Sequence, residues 1–210
     1  MKNVLALSVI SALLMSVSGS AYAQEILLKR RSGLELNIGI WAGGASTTVS
    51  PGGVTTEANI GAFAGGLLFS HWMKENLAVT LSAGLLAAKA SSSVSITAVE
   101  QQASSVTALL LGARFYLPDP EPDAGVRPFL SGAIGTYIGS ESKSTLFSQG
   151  AYTETAFGGR LGGGIDFILG EHFKLGANAG YNLMSDFSAP VGGRNNYNGG
   201  DFSIGLGYIF

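Results

Sequence analysis

The last ten residues, Asp201–Phe210, read DFSIGLGYIF. Phe202, Ile204, Leu206, Tyr208 and Phe210 share one parity, and Asp201, Ser203, Gly205 and Gly207 share the other. Successive side chains of a strand point to opposite faces, so this segment is a strand with one greasy face and one face of small or polar groups. Only Ile209 departs from the pattern. A strand that finishes on an apolar aromatic has the form of the strand that closes a barrel, and the rest of the chain reads as the sheet it closes.

Composition points the same way. Charged residues make up 12 % of the 210 residues, about half the share usual in a soluble globular protein, while hydrophobic residues make up 46 %. A water-facing surface needs more Lys, Glu, Asp and Arg than this. The 31 Gly sit inside alternating apolar runs, which speaks against disorder. A formal net charge of -2 gives no footing for nucleic acid or for a polybasic membrane attachment. With no Cys, disulfides, thiolate metal sites and Cys nucleophiles are excluded.

Lys2, an apolar run from Val4 to Val17, and the small-residue ending Ala21-Tyr22-Ala23 make a secretory signal over residues 1–23, with cleavage expected after Ala23. The apolar run is shorter than the roughly 20 residues that a spanning helix needs. Residues 24–33, with Lys29-Arg30-Arg31, read as a solvated periplasmic leader, and residues 34–210 as the folded domain. No other stretch is apolar for long enough to span as a helix, so a membrane-resident form must cross as strands.

Seven further alternating segments precede the closing one. The first sets Leu34, Leu36, Ile38 and Ile40 against Glu35, Asn37, Gly39 and Trp41. The second, the weakest pattern, sets Ile60, Ala62, Ala64 and Leu68 against Gly61, Phe63, Gly65 and Leu67. The third is led by Leu77, Val79 and Leu81, the fourth by Leu109, Leu111 and Phe115, and the fifth by Leu130, Ile134 and Ile138. Phe157, Leu161 and Ile165 lead the sixth, and Phe173, Leu175 and Tyr181 the seventh. Each is about ten residues long, the length of a tilted bilayer-crossing strand. Longer polar segments near 43–57, 89–105, 140–154 and 185–200 alternate with shorter connections, the arrangement of long extracellular loops over short periplasmic turns. The expected fold is therefore all-β, an eight-stranded antiparallel up-and-down transmembrane β-barrel.

The charges sharpen this. Glu35, Arg114, Arg160, Asp166, Lys174 and Asp201 all fall on the face opposite the Leu/Ile/Val/Phe set. On the lipid face a basic residue at midplane would cost about 2–4 kcal/mol. Phe115, Phe167, Phe173, Tyr208 and Phe210 lie on the apolar face near the periplasmic ends, as a lower aromatic girdle, with Phe157, Phe202 and Tyr181 as the upper one. A soluble barrel turned inside out has the same periodicity, but its exterior of Gly, Ala, Ser and six strand charges is thin for solubility.

The stretch GVRPFLSGAIGTYIG (Gly125–Gly139), the strand GGRLGGGIDFIL (Gly158–Leu169), the terminal FSIGLGYIF and the signal ending Ala21-Tyr22-Ala23 together resemble the small eight-stranded outer-membrane barrels of the OmpA-transmembrane, OmpX and OmpW type, known from Gram-negative cells. The resemblance covers essentially all of the mature chain and implies residence in outer-membrane lipid. It also implies that Tyr208 and Phe210 form a terminal signal for the barrel-assembly machinery. The family's roles are mixed.

An eight-stranded barrel has an interior that side chains fill, so inward charges must pair. An internal ion-pair network among Glu35, Arg114, Arg160, Asp166 and Lys174 is expected, acting as a polar plug rather than as the gate of a pore. Catalysis finds little support: His71 and His172, the two histidines, fall in short turns without the acid and nucleophile of a hydrolytic triad or a metal-ligand spacing. The run Gly158–Gly164 lacks the Lys-Ser/Thr ending of a phosphate loop. No cofactor and no metal is expected. The reading is a non-enzymatic, monomeric surface protein of structural or interaction type, adhesive or protective, with an extracellular ligand met by its loops. A narrow channel for small or apolar solutes and an outer-leaflet lipid hydrolase are the alternatives.

Overall fold

The computed structural model describes residues 28–43, 46–50, 53–57, 60–94, 99–118, 125–144 and 149–210. The expected signal (1–23) and the first part of the leader lie outside the described residues. The strands are β1 (Ser32–Gly43), β2 (Ser46–Ser50), β3 (Gly53–Glu57), β4 (Ile60–Lys74), β5 (Leu77–Val94), β6 (Val99–Tyr116), β7 (Val126–Ser144), β8 (Gln149–Leu169), β9 (Phe173–Met184) and β10 (Gly199–Ile209). β2 and β3 form a separate hairpin, and the other eight close a barrel in the order β1-β10-β9-β8-β7-β6-β5-β4 with every neighbour antiparallel. No helix is long and apolar enough to cross a membrane among the described residues.

Closure is made by β1, which pairs with β10 from Gly33↔Ile209 to Gly43↔Gly199 and with β4 from Ser32↔His71 to Ala42↔Ile60. Ser32 and Phe210 exchange both backbone hydrogen bonds, at 3.0 and 2.8 Å, and carry the seam to the last residue. Backbone groups within hydrocarbon have no water to bond, so the continuous ring of ladders is what lets strands cross at all.

Side chains sort by parity. Leu34, Leu36, Ile38 and Ile40 of β1 point outward, as do Leu161 on β8 and Ile204 and Leu206 on β10. Ile134 and Phe157 are 74 % and 70 % exposed, values that only lipid makes tolerable. Phe115, Phe167, Phe173, Tyr208 and Phe210 ring the turn-side end, and Phe157, Tyr181 and Phe202 the opposite end, all exposed. β4 corrects its expected faces. Phe63, Leu67 and Phe69 point outward, and Ala64 and Leu68 inward. Leu67-Leu68 and Gly65-Gly66 leave the parity open, and Phe63 and Phe69, both exposed, show which face meets lipid.

The lumen is a core in three layers. The floor, at the end bearing the short turns Glu75–Asn76 and Gly170–His172, packs Leu28, Trp72, Ala78, Tyr116, Phe129, Ile168 and Ile209. The charged side chains occupy the waist. Above them Trp41, Leu86, Val106, Leu110, Tyr137 and Met184 meet Phe187, Val191 and Tyr197 from the segment after β9.

Three expectations change. The leader is not wholly solvated: Leu28 is buried in the floor, and the Glu75 carboxylate accepts from the Leu28 and Lys29 amides at 2.9 and 2.8 Å. Arg30 sits at φ 68° in the tight turn that follows, closed by Arg31 N donating to Leu28 O. The segments 89–105 and 140–154 are largely strand, because Ser, Thr and Val continue a ladder above the bilayer as well as within it. The segment 185–200 is not a free loop but folds back into the barrel mouth.

The strands therefore rise unequally. The β4–β5 ladder stops at Gly65↔Leu85 and the β8–β9 ladder at Gly158↔Met184, while β5, β6, β7 and β8 stay paired to Val94↔Val99, Gln101↔Ser144 and Ser144↔Gln149. A four-stranded sheet stands clear of the ring on the side opposite the short turns, the extracellular side of such barrels.

Ile134→Arg, on the outward face midway along β7, is expected to destabilise the folded protein by about 2–4 kcal/mol in reversible urea unfolding from lipid vesicles. A loss under about 0.5 kcal/mol would mean that this face does not touch hydrocarbon.

Candidate functional site

Inward charges come from several strands: Lys174 and Asp166 stand on neighbouring β9 and β8, whereas Arg114 of β6 reaches across the lumen to Glu35 of β1. Glu35 (β1), Arg114 (β6), Asp166 (β8) and Lys174 (β9) meet just above the floor. Arg114 Nη1 donates to Glu35 Oε2 at 3.1 Å and to Asp166 Oδ2 at 3.3 Å. Lys174 Nζ lies 2.5 Å from Glu35 Oε2 and 3.1 Å from Asp166 Oδ2. The Tyr116 hydroxyl donates to that same Asp166 oxygen at 2.8 Å, and Asp166 Oδ1 has no partner among the described residues. All four charged side chains are at most 6 % exposed. Two cations face two anions, the balance that a low-dielectric interior requires.

Aromatic rings insulate this tetrad from below. Arg114 Cζ sits 4.4 Å from the Phe129 ring centre, and Lys174 Nζ 5.8 Å from that of Trp72. Glycine supplies the room: a Cβ on Gly205 would stand 2.3 Å from Glu35 Oε1.

Arg160 does not join the other four, which corrects the expected single network. Its Nε donates to Asp201 Oδ1 and Oδ2 at 3.1 and 2.9 Å, and its Nη2 to Asp201 Oδ1 at 2.5 Å and to Asn178 Oδ1 at 3.0 Å. Asn182 Nδ2 donates to Asp201 Oδ2 at 2.7 Å, and Tyr137 OH to Asn182 Oδ1 at 3.1 Å. Asp201 was on the inward face by parity, but its partnership could not be seen from sequence. Arg160 stands on β8 and Asp201 on β10, separated by β9. Their facing depends on register, which alternation leaves open. The space that the guanidinium fills is where Gly180 lacks a side chain, since a Cβ there would lie 2.6 Å from Arg160 Cζ.

The mouth is capped by the segment after β9. Gly192 N donates to Glu141 Oε2 at 2.6 Å, Tyr197 OH to Val191 O at 2.8 Å, and Tyr152 OH to Pro190 O. Arg194 Cζ lies 5.3 Å from the Trp41 ring centre and 5.9 Å from that of Tyr197, and Trp41 and Tyr197 pack at 5.3 Å. Burial raises the Tyr197 phenol above its ordinary pKa. Gly192 and Gly193, at φ 59° and 78°, supply the left-handed turn that points Val191 inward. Sequence reasoning missed this cap because its apolar residues follow no period. Their signal was three bulky residues in a Gly/Asn/Ser stretch.

Between cap and tetrad lies a chamber of about 150 Å³, lined by Arg114, Arg160 and Asp201 among others. The histidines stand apart from all of this. His71 Nδ1 lies 2.9 Å from Ser32 Oγ, within β4 rather than in a turn, and His172 stacks on Tyr208 at 5.5 Å. Both are at the turn-side rim, and no grouping of three or more metal-ligating side chains occurs among the described residues.

Residues 9–210 match the model of the outer membrane protein beta-barrel domain. The chain belongs to that family. It is an outer-membrane barrel, with β5–β8 raised toward the cell exterior. In fold it is similar to Ail, the attachment invasion locus protein of Yersinia pestis, in its complex with the heparin analogue sucrose octasulfate (TM-score 0.54, 15 % identity, 85 % of this chain and 99 % of that one). It is likewise similar to Neisserial surface protein A (TM-score 0.51, 13 % identity, 85 % and 97 %). No curated protein matches the sequence significantly.

Lys174→Met leaves Glu35 and Asp166 to share Arg114 alone, and should cost about 3–5 kcal/mol in urea unfolding followed by tryptophan fluorescence. Adding Glu35→Gln restores charge balance and should recover more than half of the loss. A double variant no more stable than Lys174→Met would mean that the tetrad is not coupled.

Proposed function

We propose that this outer-membrane barrel is a non-enzymatic surface protein that binds an extracellular partner through the sheet raised by β5–β8, while its lumen stays plugged. The observation that carries this is the pair of open sheet edges. Above Gly65↔Leu85, β5 pairs with β6 alone, and above Gly158↔Met184, β8 pairs with β7 alone, so Ala87–Val94 and Gln149–Ala156 each carry one side with no neighbouring strand among the described residues. An exposed strand edge presents a row of unpaired N–H and C=O groups, the template on which an extended segment of another protein adds as one more strand. The fitting partner is thus an extended polypeptide segment on a cell or matrix surface.

The interior supports a plug rather than a conduit. Floor and cap are apolar and packed, and the charges between them are paired. We infer further that residues 1–23 direct export and that the protein acts as a monomer. Tyr208 and Phe210, at the lipid-facing end of β10, would offer the terminal strand to the barrel-assembly machinery.

The test is a variant with residues 143–150 removed, which shortens the β7–β8 hairpin at paired positions and leaves the barrel ladders whole. Cells displaying it should bind immobilised matrix or host-cell surfaces several-fold less than cells displaying the intact protein, at equal surface level and equal heat-modifiable migration. Unchanged binding would discard the tip of the β7–β8 hairpin, with the edge residues it carries, as the docking element. Purified protein in a planar bilayer should show no steady conductance, and a conductance removed by Arg160→Glu would replace the plug with the channel reading.

A further inference from the structure

The chamber between the tetrad and the cap has two unlike walls. On one side stand Arg160, Asp201, Asn178 and Asn182, and on the other Leu68, Leu86 and Leu110. Its volume, about 150 Å³, equals that of an engineered apolar cavity that takes up benzene, and is too small for drug-sized ligands. From these walls we propose that the chamber is a binding site for a neutral amphipathic molecule of roughly seven heavy atoms, an aromatic or short-chain alcohol of which phenol is the type. This claim goes beyond surface docking and does not depend on it.

Charge fixes the ligand's neutrality. The lumenal cations Arg114, Lys174 and Arg160 are matched one for one by Glu35, Asp166 and Asp201. An ion entering this balanced set brings a charge with no counterpart into a site screened by apolar layers above and below, which costs several kcal/mol. A neutral hydroxyl brings none.

Hydrogen bonding fixes the ligand's polar end. Arg160 spends Nε and Nη2 on Asp201 and Asn178, and its Nη1 has no partner among the described residues. That donor, with the Ser203 hydroxyl that also lines the chamber, suits an oxygen that both accepts and donates. The leucine wall fixes the other end. An apolar ring set against Leu68, Leu86 and Leu110 buries their faces.

The chamber is bounded by Gly65, Gly66, Gly84 and Leu85, where the β4–β5 ladder ends while both strands continue. Three glycines thin the wall where that ladder ends, which gives a small molecule a way into the chamber. A site closed above and below binds without conducting, so silence in a planar bilayer does not bear on it.

The experiment is ¹⁹F NMR of 4-fluorophenol with the full-length protein in lipid nanodiscs, and again with protein refolded in its presence. A saturable bound resonance is expected, with a dissociation constant of about 1 mM or tighter. 4-Fluorobenzoate and 4-fluorobenzylamine at neutral pH, of similar size but charged, should bind at least tenfold more weakly. Ala108→Leu and Ser131→Leu each add bulk to the chamber from different strands, and either should abolish the bound signal. If neither preparation shows saturable binding, or if benzoate binds as well as the phenol, the proposal falls. It falls equally if a folded variant of either kind binds as the parent does, since the probe would then sit elsewhere or in the lipid.

Discussion

A strand in hydrocarbon has nowhere but its neighbours to place its backbone hydrogen bonds, and the last neighbour must be the first strand. Here that condition rests on β1, whose residues find partners on both sides from Ser32 to Ala42, with the seam held to its end by Ser32 and Phe210. Closing eight strands leaves a lumen only as wide as side chains can fill. Much of the rest follows. Most bulky apolar groups of β4, β8 and β10 go outward, glycines line the inside wherever a long inward side chain needs room, and every buried ion has to find its counter-ion within the ring.

Layering then makes the ion pairs selective. Apolar floor and apolar cap exclude water from the waist, which strengthens correct pairs and raises the cost of wrong ones by the same physics. Glu35, Arg114, Asp166 and Lys174 come from four strands, and a one-residue slip of any of them would turn its charge toward lipid. The tetrad is therefore better read as a device that fixes register than as a large net source of stability. The Arg160–Asp201 pair, partly exposed to the chamber, fixes β8 against β10 in the same way.

What could be read from the sequence was whatever lipid and lumen impose one residue at a time. Leu36, Ile134, Leu161 and Leu206 are outward because hydrocarbon accepts nothing else as cheaply, and Arg160 and Asp166 are inward for the converse reason. This constraint is local and of period two, so alternation displays it. Where both faces carry similar residues, as at Gly65-Gly66 and Leu67-Leu68, alternation fell silent and Phe63 and Phe69 decided. Contacts between strands were not legible. Arg160 meets Asp201 across 41 positions because of ladder register, and Phe187, Val191 and Tyr197 cap the mouth through a chain reversal at Gly192-Gly193 that no periodicity announces. Above the bilayer the polarity signal disappears, and strands that continue there resemble loops in composition, which is how the raised sheet of β5–β8 escaped notice.

The two ends of the barrel are closed by different means, and the difference bears on which end can change. The floor is made mostly of strand side chains, and the N-terminal segment adds one: Leu28 fills the space among Trp72, Tyr116, Phe129 and Ile209, pinned by two amides on the Glu75 carboxylate and by Arg30 N donating to Trp72 O at 2.7 Å. Arg127 braces Glu75 through its carbonyl, and its guanidinium stacks over Tyr116 at 4.8 Å. The cap is closed by a longer segment whose aromatic side chains pack on one another and on Trp41, with backbone atoms tied to Glu141 and Tyr152. A stopper of one side chain can be lost without unpairing any ladder. Withdrawing the cap would expose Phe187, Val191, Tyr197 and Trp41 together. By the apolar area at stake, releasing Leu28 from the floor costs less than withdrawing the cap from the mouth.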